Sequence, residues 1–102
     1  MNEVQIERKD NALLITLSGE IHSGNADEFR EAVEQAYGAS PADICFSCAE
    51  LSFIDSTTLG TLVKIRKMLL ADGKKVVLEH LQPNIKKLFL ICKLDSIMEI
   101  RQ

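Results

Sequence analysis

Short apolar or alternating runs trade places along this chain with longer stretches whose apolar residues recur every three or four positions. Val4-Gln5-Ile6-Glu7 alternates and reads as a short strand. Asp10-Asn11 supplies a turn. Leu13-Leu14-Ile15-Thr16-Leu17-Ser18-Gly19 is nearly continuous in apolar character, which predicts a strand covered on both faces. The two runs are placed to pair as a hairpin. Asn25-Ala26-Asp27-Glu28 has the form of a capping box, with Asn25 as N-cap and Glu28 at the third helical position. Behind it Ala26, Phe29, Ala32, Val33 and Ala36 keep helical spacing, with acids on the other face. Gly38 to Pro41 ends that helix.

Asp43 to Cys48 predicts the next strand, and Leu51 to Ile54 a short hydrophobic loop. A second helix, from about Thr57 to Ala71, stops at Asp72-Gly73. Lys75 to Glu79 is a further strand. Pro83 fits the first turn of a third helix whose inner face is Ile85, Leu88, Phe89 and Cys92. Ser96 to Ile100 forms a last short strand or helix. Strands that alternate with helices imply an α/β domain spanning residues 1–102, with a mixed β-sheet and helices packed mainly on one side.

A chain of 102 residues buries one modest core. No apolar run approaches the roughly 20 residues that a membrane helix needs, so no membrane insertion is expected. Met1-Asn2-Glu3-Val4-Gln5 lacks the basic flank and apolar core of a signal peptide, which makes the cytoplasm the expected location. Three cysteines cannot all pair within one chain. Cys45 and Cys48, three apart in a strand, point to opposite faces about 10 Å apart, too far for a disulfide or a shared metal. With Cys92 in a helix, all three read as small buried hydrophobes.

The formal net charge of −3 conceals an asymmetry. Residues 1–50 carry 3 basic and 10 acidic side chains, and residues 51–102 carry 9 and 5. That polarity reads either as two differently solvated faces or as a field that orients a protein partner. The basic pairs Lys74-Lys75, Lys86-Lys87 and Arg66-Lys67 are scattered and lack interleaved aromatics, so no nucleic-acid partner is expected.

The chemistry concentrates in Phe53-Ile54-Asp55-Ser56-Thr57-Thr58-Leu59-Gly60. Asp and Ser are preferred helix caps, and a helix N-terminus welcomes an anion. Asp55 reads either as a cap or as a group that positions the neighbouring hydroxyl. Along the second helix Leu59, Leu62, Val63, Leu69 and Leu70 share the predicted core face. Thr61, Ile65 and Met68 form a second stripe, either part of a broad buried face or an exposed strip that docks a partner. Arg66 falls within the core face and is expected to snorkel to the sheet edge. Catalysis is not expected. A nucleophilic Ser56 needs a base and an oxyanion hole in register, and only His22 and His80 could approach the sheet rim. There is no Gly-x-Ser-x-Gly elbow, phosphate-binding glycine loop or metal-ligand cluster, and no cofactor is implied.

The element order, the segment Leu17-Ser18-Gly19-Glu20-Ile21 and the segment Leu51-Ser52-Phe53-Ile54-Asp55-Ser56 together resemble the STAS domain, the fold of bacterial anti-sigma-factor antagonists. Leu88-Phe89 followed by Leu94 matches a weaker C-terminal pattern of that family. The resemblance spans about Val4 to Ile100. It implies that Ser56 is a phosphoacceptor, with Thr57 a secondary candidate and Asp55, Thr58 and Gly60 flanking the site. It implies a partner-switching cycle. Unphosphorylated antagonist binds an anti-sigma factor, a serine kinase of the histidine-kinase-like ATPase class. Phosphorylation inactivates the antagonist, and a PP2C-type phosphatase restores it. Thr58 stands where the family motif has its first glycine, and its bulk beside Ser56 is expected to narrow a kinase's approach. Lys93 likewise replaces a usual glycine at the exit of the third helix. The alternative within the same family is an unphosphorylated adaptor subunit of a lipid-transport or multi-protein signalling assembly. The proposed docking strip in the antagonist reading is Thr61, Ile65 and Met68.

Overall fold

The computed structural model describes residues 3–102; Met1 and Asn2, part of the segment read above as lacking a leader, lie outside the described residues. β1 (Glu3–Lys9) and β2 (Ala12–Ile21) form the expected hairpin, with Val4 opposite Leu17 and Arg8 opposite Leu13. α1 (Ala26–Ala39) leads to β3 (Asp43–Ile54), α2 (Ser56–Ala71) to β4 (Val76–Glu79), and α3 (Pro83–Ile91) through a 3₁₀ turn at Leu94–Ser96 to β5 (Glu99–Arg101). The sheet runs β1-β2-β3-β4-β5, with β1 antiparallel and the other pairings parallel. The closing segment is therefore both a turn of helix and a strand.

One apolar cluster joins the sheet to all three helices. Leu13, Ile15 and Leu17 of β2, Ile44 and Phe46 of β3 and Leu78 of β4 meet Phe29 and Val33 of α1, Leu62 and Leu69 of α2, and Ile85 and Phe89 of α3. Leu14, Cys45 and Val77, adjacent across three strands, occupy the opposite face. β2 is thus not covered on both faces. Its residues alternate between fully and half buried, because every crossover helix packs on the same side.

The helix ends show which local signals hold. Asn25 precedes α1 but makes no side-chain cap bond. Its amide instead accepts from the His22 N–H and donates to the Glu20 carbonyl, so it shapes the preceding loop and the expected capping box does not form. At the other end, Arg8 donates to the Ser40 and Ala36 carbonyls and ties β1 to the last turn of α1. α2 ends in a Schellman motif. Lys74 N–H bonds to Leu69 O, Gly73 N–H bonds to Leu70 O, and Gly73 takes the required φ of +71°. Lys93, in place of a glycine, also adopts a left-handed φ of +58°, so the α3 exit keeps a glycine-like geometry with a non-glycine residue.

α2 corrects the expected partition of its faces. The buried series is Thr58, Leu62, Ile65 and Leu69, spaced i, i+4, i+7, i+11, with Leu59 and Thr61 beside it. Ile65 is 1% exposed and Thr61 8%, so neither forms a surface strip, and Met68 is half-buried against the core. Leu70, expected inside, is 57% exposed. Two overlapping apolar stripes can be drawn on this helix, and contact with α1 on one flank and the sheet beneath selects the arc between them. Arg66 does reach the sheet edge, where its Nε donates to the Ile97 carbonyl at 2.7 Å. Tyr37 donates to Asp72 Oδ2 at 2.6 Å and joins α1 to the end of α2; burial, then the Asp72 bond, push its hydroxyl pKa up to about 12.

The thiols differ from the uniform buried set expected. Cys48 is buried, and desolvation pushes its pKa up to about 12. Cys45 is half-buried on the open face and donates to Glu79 Oε1 at 3.2 Å; burial and that bond raise it to about 11. Cys92 lies on the exposed side where α3 ends. No helix of the described residues is long and apolar enough to cross a membrane.

Ile65→Ala is expected to lower unfolding free energy by about 2–5 kcal/mol in a denaturant titration, as for a buried aliphatic truncated to a cavity. Leu70→Ala, at an exposed position, should stay within about 0.5 kcal/mol of the wild type. Equal effects at the two positions would contradict this assignment of the core face.

Candidate functional site at the start of α2

β3 continues as a strand through Leu51 to Ile54, where the sequence suggested a loop. It does so because β2 also continues, pairing Ser18 with Glu50, Gly19 with Leu51, Glu20 with Phe53 and Ile21 with Ile54. Two register shifts accompany this stretch, and Gly19 supplies a positive φ of +73° between them. On its other side β3 outruns β4, whose pairing stops at Glu79. Side-chain amides replace the missing strand: Gln82 Nε2 donates to Ala49 O, and Asn84 Nδ2 donates to Ser52 O. This projecting end of β3 delivers Asp55 and Ser56 to the rim of the sheet.

Asp55 is the N-cap of α2. Its Oδ1 accepts the Thr58 N–H at 3.0 Å, and its Oδ2 accepts the Ser23 N–H at 2.9 Å from the loop after β2. The Thr58 N–H first, then the Ser23 N–H and the Thr58 hydroxyl, outweigh partial desolvation and hold the Asp55 carboxyl below the usual carboxylate range. The Thr58 hydroxyl lies 2.6 Å from Ile21 O and 3.0 Å from Asp55 Oδ1, and shares one proton between them. Thr58 is 1% exposed. Its side chain points into the protein and leaves the space beside Ser56 open, contrary to the crowding expected of it. The loop is closed by Asn25 and by Gly24, whose N–H donates to His22 Nδ1 at 3.0 Å.

Ser56 is the first residue of the helix and is exposed; Thr57 is exposed beside it. With Asp55 capping and Thr58 anchoring, the Ser56 hydroxyl has no hydrogen-bond partner among the described residues. Ser56 and Thr57 also carry N–H groups with no acceptor inside the helix, at its electropositive end. Gly60, one turn on, has nothing within 4 Å of where a Cβ would sit. Thr61 donates to Thr57 O and stabilises the first turn. Neither His22 nor His80 is hydrogen-bonded to Ser56, and no metal-ligand group of three occurs among the described residues.

Five contributors escaped the sequence reading. Phe53, in the run read as a short hydrophobic loop, is 46% exposed beside the site. Ser23 and Ile21 act through backbone atoms, which leave no mark in a side-chain pattern. Gln82 and Asn84 act across more than thirty residues.

A profile of the STAS domain matches residues 3–102. The chain belongs to the STAS domain family. It is similar to the anti-sigma-B factor antagonist of Bacillus subtilis, 30% identical over 97 residues that cover 95% of this chain and 88% of the relative. A crystal structure of a candidate anti-sigma factor antagonist from Thermotoga maritima shares the fold with a TM-score of 0.92 at 21% identity, over 97% of this chain and 86% of that one. SpoIIAA of Bacillus, a cell-fate determinant solved in its phosphorylated form, gives 0.77 at 22% identity, over 98% and 92%. The STAS fold thus presents, in this chain, a capped helix whose first hydroxyl is free.

The depressed Asp55 pKa sets a pH dependence. A carboxyl that ionises more readily folded than unfolded adds stability above its unfolded pKa near 4 and loses it as pH falls through the folded value. Asp55→Ala should therefore melt below the wild type at neutral pH, and the gap should close progressively below about pH 4. A gap independent of pH would remove ionisation from the cap. Thr58→Gly, which installs the family's usual residue, should cost about 1–3 kcal/mol, because it strands the Ile21 carbonyl and adds backbone freedom.

Proposed function

We propose that this protein is an anti-sigma-factor antagonist that binds its anti-sigma factor when unmodified and is inactivated by phosphorylation at Ser56. The observation that carries this reading is the division of labour at the start of α2. Asp55 caps, Thr58 anchors, and the exposed Ser56 hydroxyl is left without a structural task. The B. subtilis relative, named an anti-sigma-B factor antagonist, supports it at 30% identity over nearly the whole chain.

The chemistry follows from that geometry. Ser56 Oγ attacks the γ-phosphorus of ATP; the bond to the ADP oxygen breaks and the hydroxyl proton is released. The product adds about −1.5 to −2 charges and three acceptor oxygens. The N–H groups of Ser56 and Thr57 and the helix dipole accommodate that charge, so the fold persists. A partner that covers the site must instead desolvate a dianion lying beside the Asp55 carboxylate. Binding is lost while the antagonist stays folded.

The proposed partner is an anti-sigma factor with serine-kinase activity of the histidine-kinase-like ATPase class, with a PP2C-type phosphatase to reverse the step. The protein acts in the cytoplasm and catalyses nothing itself. Thr57 is the secondary acceptor, and Asp55, Thr58 and Gly60 flank the site. Met68 lies half-buried on the same helix, whereas Ile65 and Thr61 are buried, so the docking surface centres on the exposed residues around Ser56. The adaptor reading drew on Thr58 crowding Ser56, and that crowding does not occur.

Incubation with the kinase and ATP should add one phosphoryl group by intact-protein mass spectrometry, and none to Ser56→Ala. The phosphorylated protein should bind the kinase at least about tenfold more weakly, a loss of about 1.4 kcal/mol. A kinase that binds this chain yet leaves Ser56 unmodified would sink the switch.

A further inference from the structure

Part of the charge asymmetry of the chain, four of the ten acids of residues 1–50 and three of the nine cations of residues 51–102, falls on two surfaces away from Ser56. The first is a cleft of about 140 Å³ at the far end of α2, bounded by Arg66, Leu70, Lys74, Lys75, Ile97 and Glu99. Arg66 spends its Nε on the Ile97 carbonyl, and no ion pair reaches Arg66, Lys74 or Lys75 among the described residues. The acid present, Glu99, is paired with Arg101 at 2.5 Å. Leu70 and Ile97, 57% and 38% exposed, give the cleft an apolar floor. The second surface is the solvent side of α1. Asp27, Glu31 and Glu34, spaced i, i+4, i+7, are all exposed, with Glu28 alongside. Arg30, 3.7 Å from Asp27, is the cation that meets this row among the described residues. Like charges at that spacing destabilise a helix slightly, and among the described residues no ion pair reaches Glu31 or Glu34.

We infer that the basic cleft receives the acidic ridge of α1 from a second copy of this chain. The charges are complementary in sign, and the exposed leucine and isoleucine give the contact an apolar part. α1 covers the β1–β2 side of the sheet, whereas the cleft borders β4 and β5. One copy therefore cannot satisfy its own surfaces. The contact is head-to-tail, so it closes into a ring or propagates along a row of copies. α2 places Leu70 about 21 Å from Ser56, at a rise of about 1.5 Å per residue, so the cleft lies at the opposite end of α2 from Ser56. The contact is held mainly by exposed charges, and salt weakens it.

Sedimentation of the full chain over a range of concentrations tests this inference. At about 0.01 M salt, where the Debye length is about 30 Å, the average mass should rise with concentration; at about 1 M, where it is about 3 Å, the chain should be monomeric. Lys74→Glu with Lys75→Glu should abolish association, and so should Glu31→Lys with Glu34→Lys. Lys75→Glu alone, at an exposed position, should give a partial loss. An equimolar mixture of the two double variants should associate again, because each then offers the other two complementary surfaces. Ser56→Ala should associate like the wild type, which separates this result from that of the proposed switch. A wild type monomeric at low salt would overturn the inference, as would double variants that associate unchanged or a mixture that stays monomeric. A monomer that binds anionic lipid vesicles through Lys74 and Lys75 would assign the cleft to a membrane surface instead.

Discussion

The Asp55 carboxylate joins three parts of the chain that are distant in sequence. One oxygen accepts from the first turn of α2 and the other from the loop that follows β2. The Thr58 hydroxyl continues the junction to the Ile21 carbonyl at the end of β2. Helix initiation, loop closure and the register of the extended β2–β3 ladder therefore share one charged group. Each accepted N–H or O–H stabilises the ionised carboxylate, which in turn fixes the direction in which α2 leaves the sheet.

That concentration of structural duty on Asp55 and Thr58 releases Ser56. A serine at a helix start ordinarily serves as a cap, and modifying a capping hydroxyl would disturb the helix it holds. Here the cap precedes it by one residue, so a charge placed on Ser56 alters the surface without removing a bond the fold uses. The family's usual glycine at position 58 gives way to a threonine whose hydroxyl is buried and bonded. The substitution strengthens the junction from inside and adds no bulk outside.

All three helices pack on one face of the sheet. The other face is open and carries Thr16, Ser47 and Glu79 around a narrow band of Leu14, Cys45 and Val77. Charge is also distributed by element, with acids on the outer side of α1 and unpaired cations where α2 runs into β4. The molecule thus has an exposed serine at one rim and, at the opposite end of α2, a basic pole. These are electrostatically separate at ordinary ionic strength, because their separation exceeds a Debye length of about 8–10 Å.

Ser56 was singled out by the family resemblance, while the order of elements, the hairpin and the positions of the helices were legible in the sequence. They rest on local causes: periodicity, turn residues, glycine and proline punctuation, and an Asp-Ser pair before an apolar helix. What the sequence could not decide was how elements far apart supply one another's missing bonds. Asn25 looked like a cap because its position is right, yet a loop contact captured its amide. Leu51 to Ile54 looked like a short hydrophobic loop, yet the continued β2 pairs with it, and amides from Gln82 and Asn84 cover its other edge. Leu70, expected inside, is exposed, and Ile65, for which burial and exposure were both open, is buried, because a helix with apolar residues on most of its circumference has no preferred buried arc until neighbours cover one. Local chemistry chose the elements and the family resemblance pointed to Ser56, and tertiary packing left the Ser56 hydroxyl without a hydrogen-bond partner among the described residues.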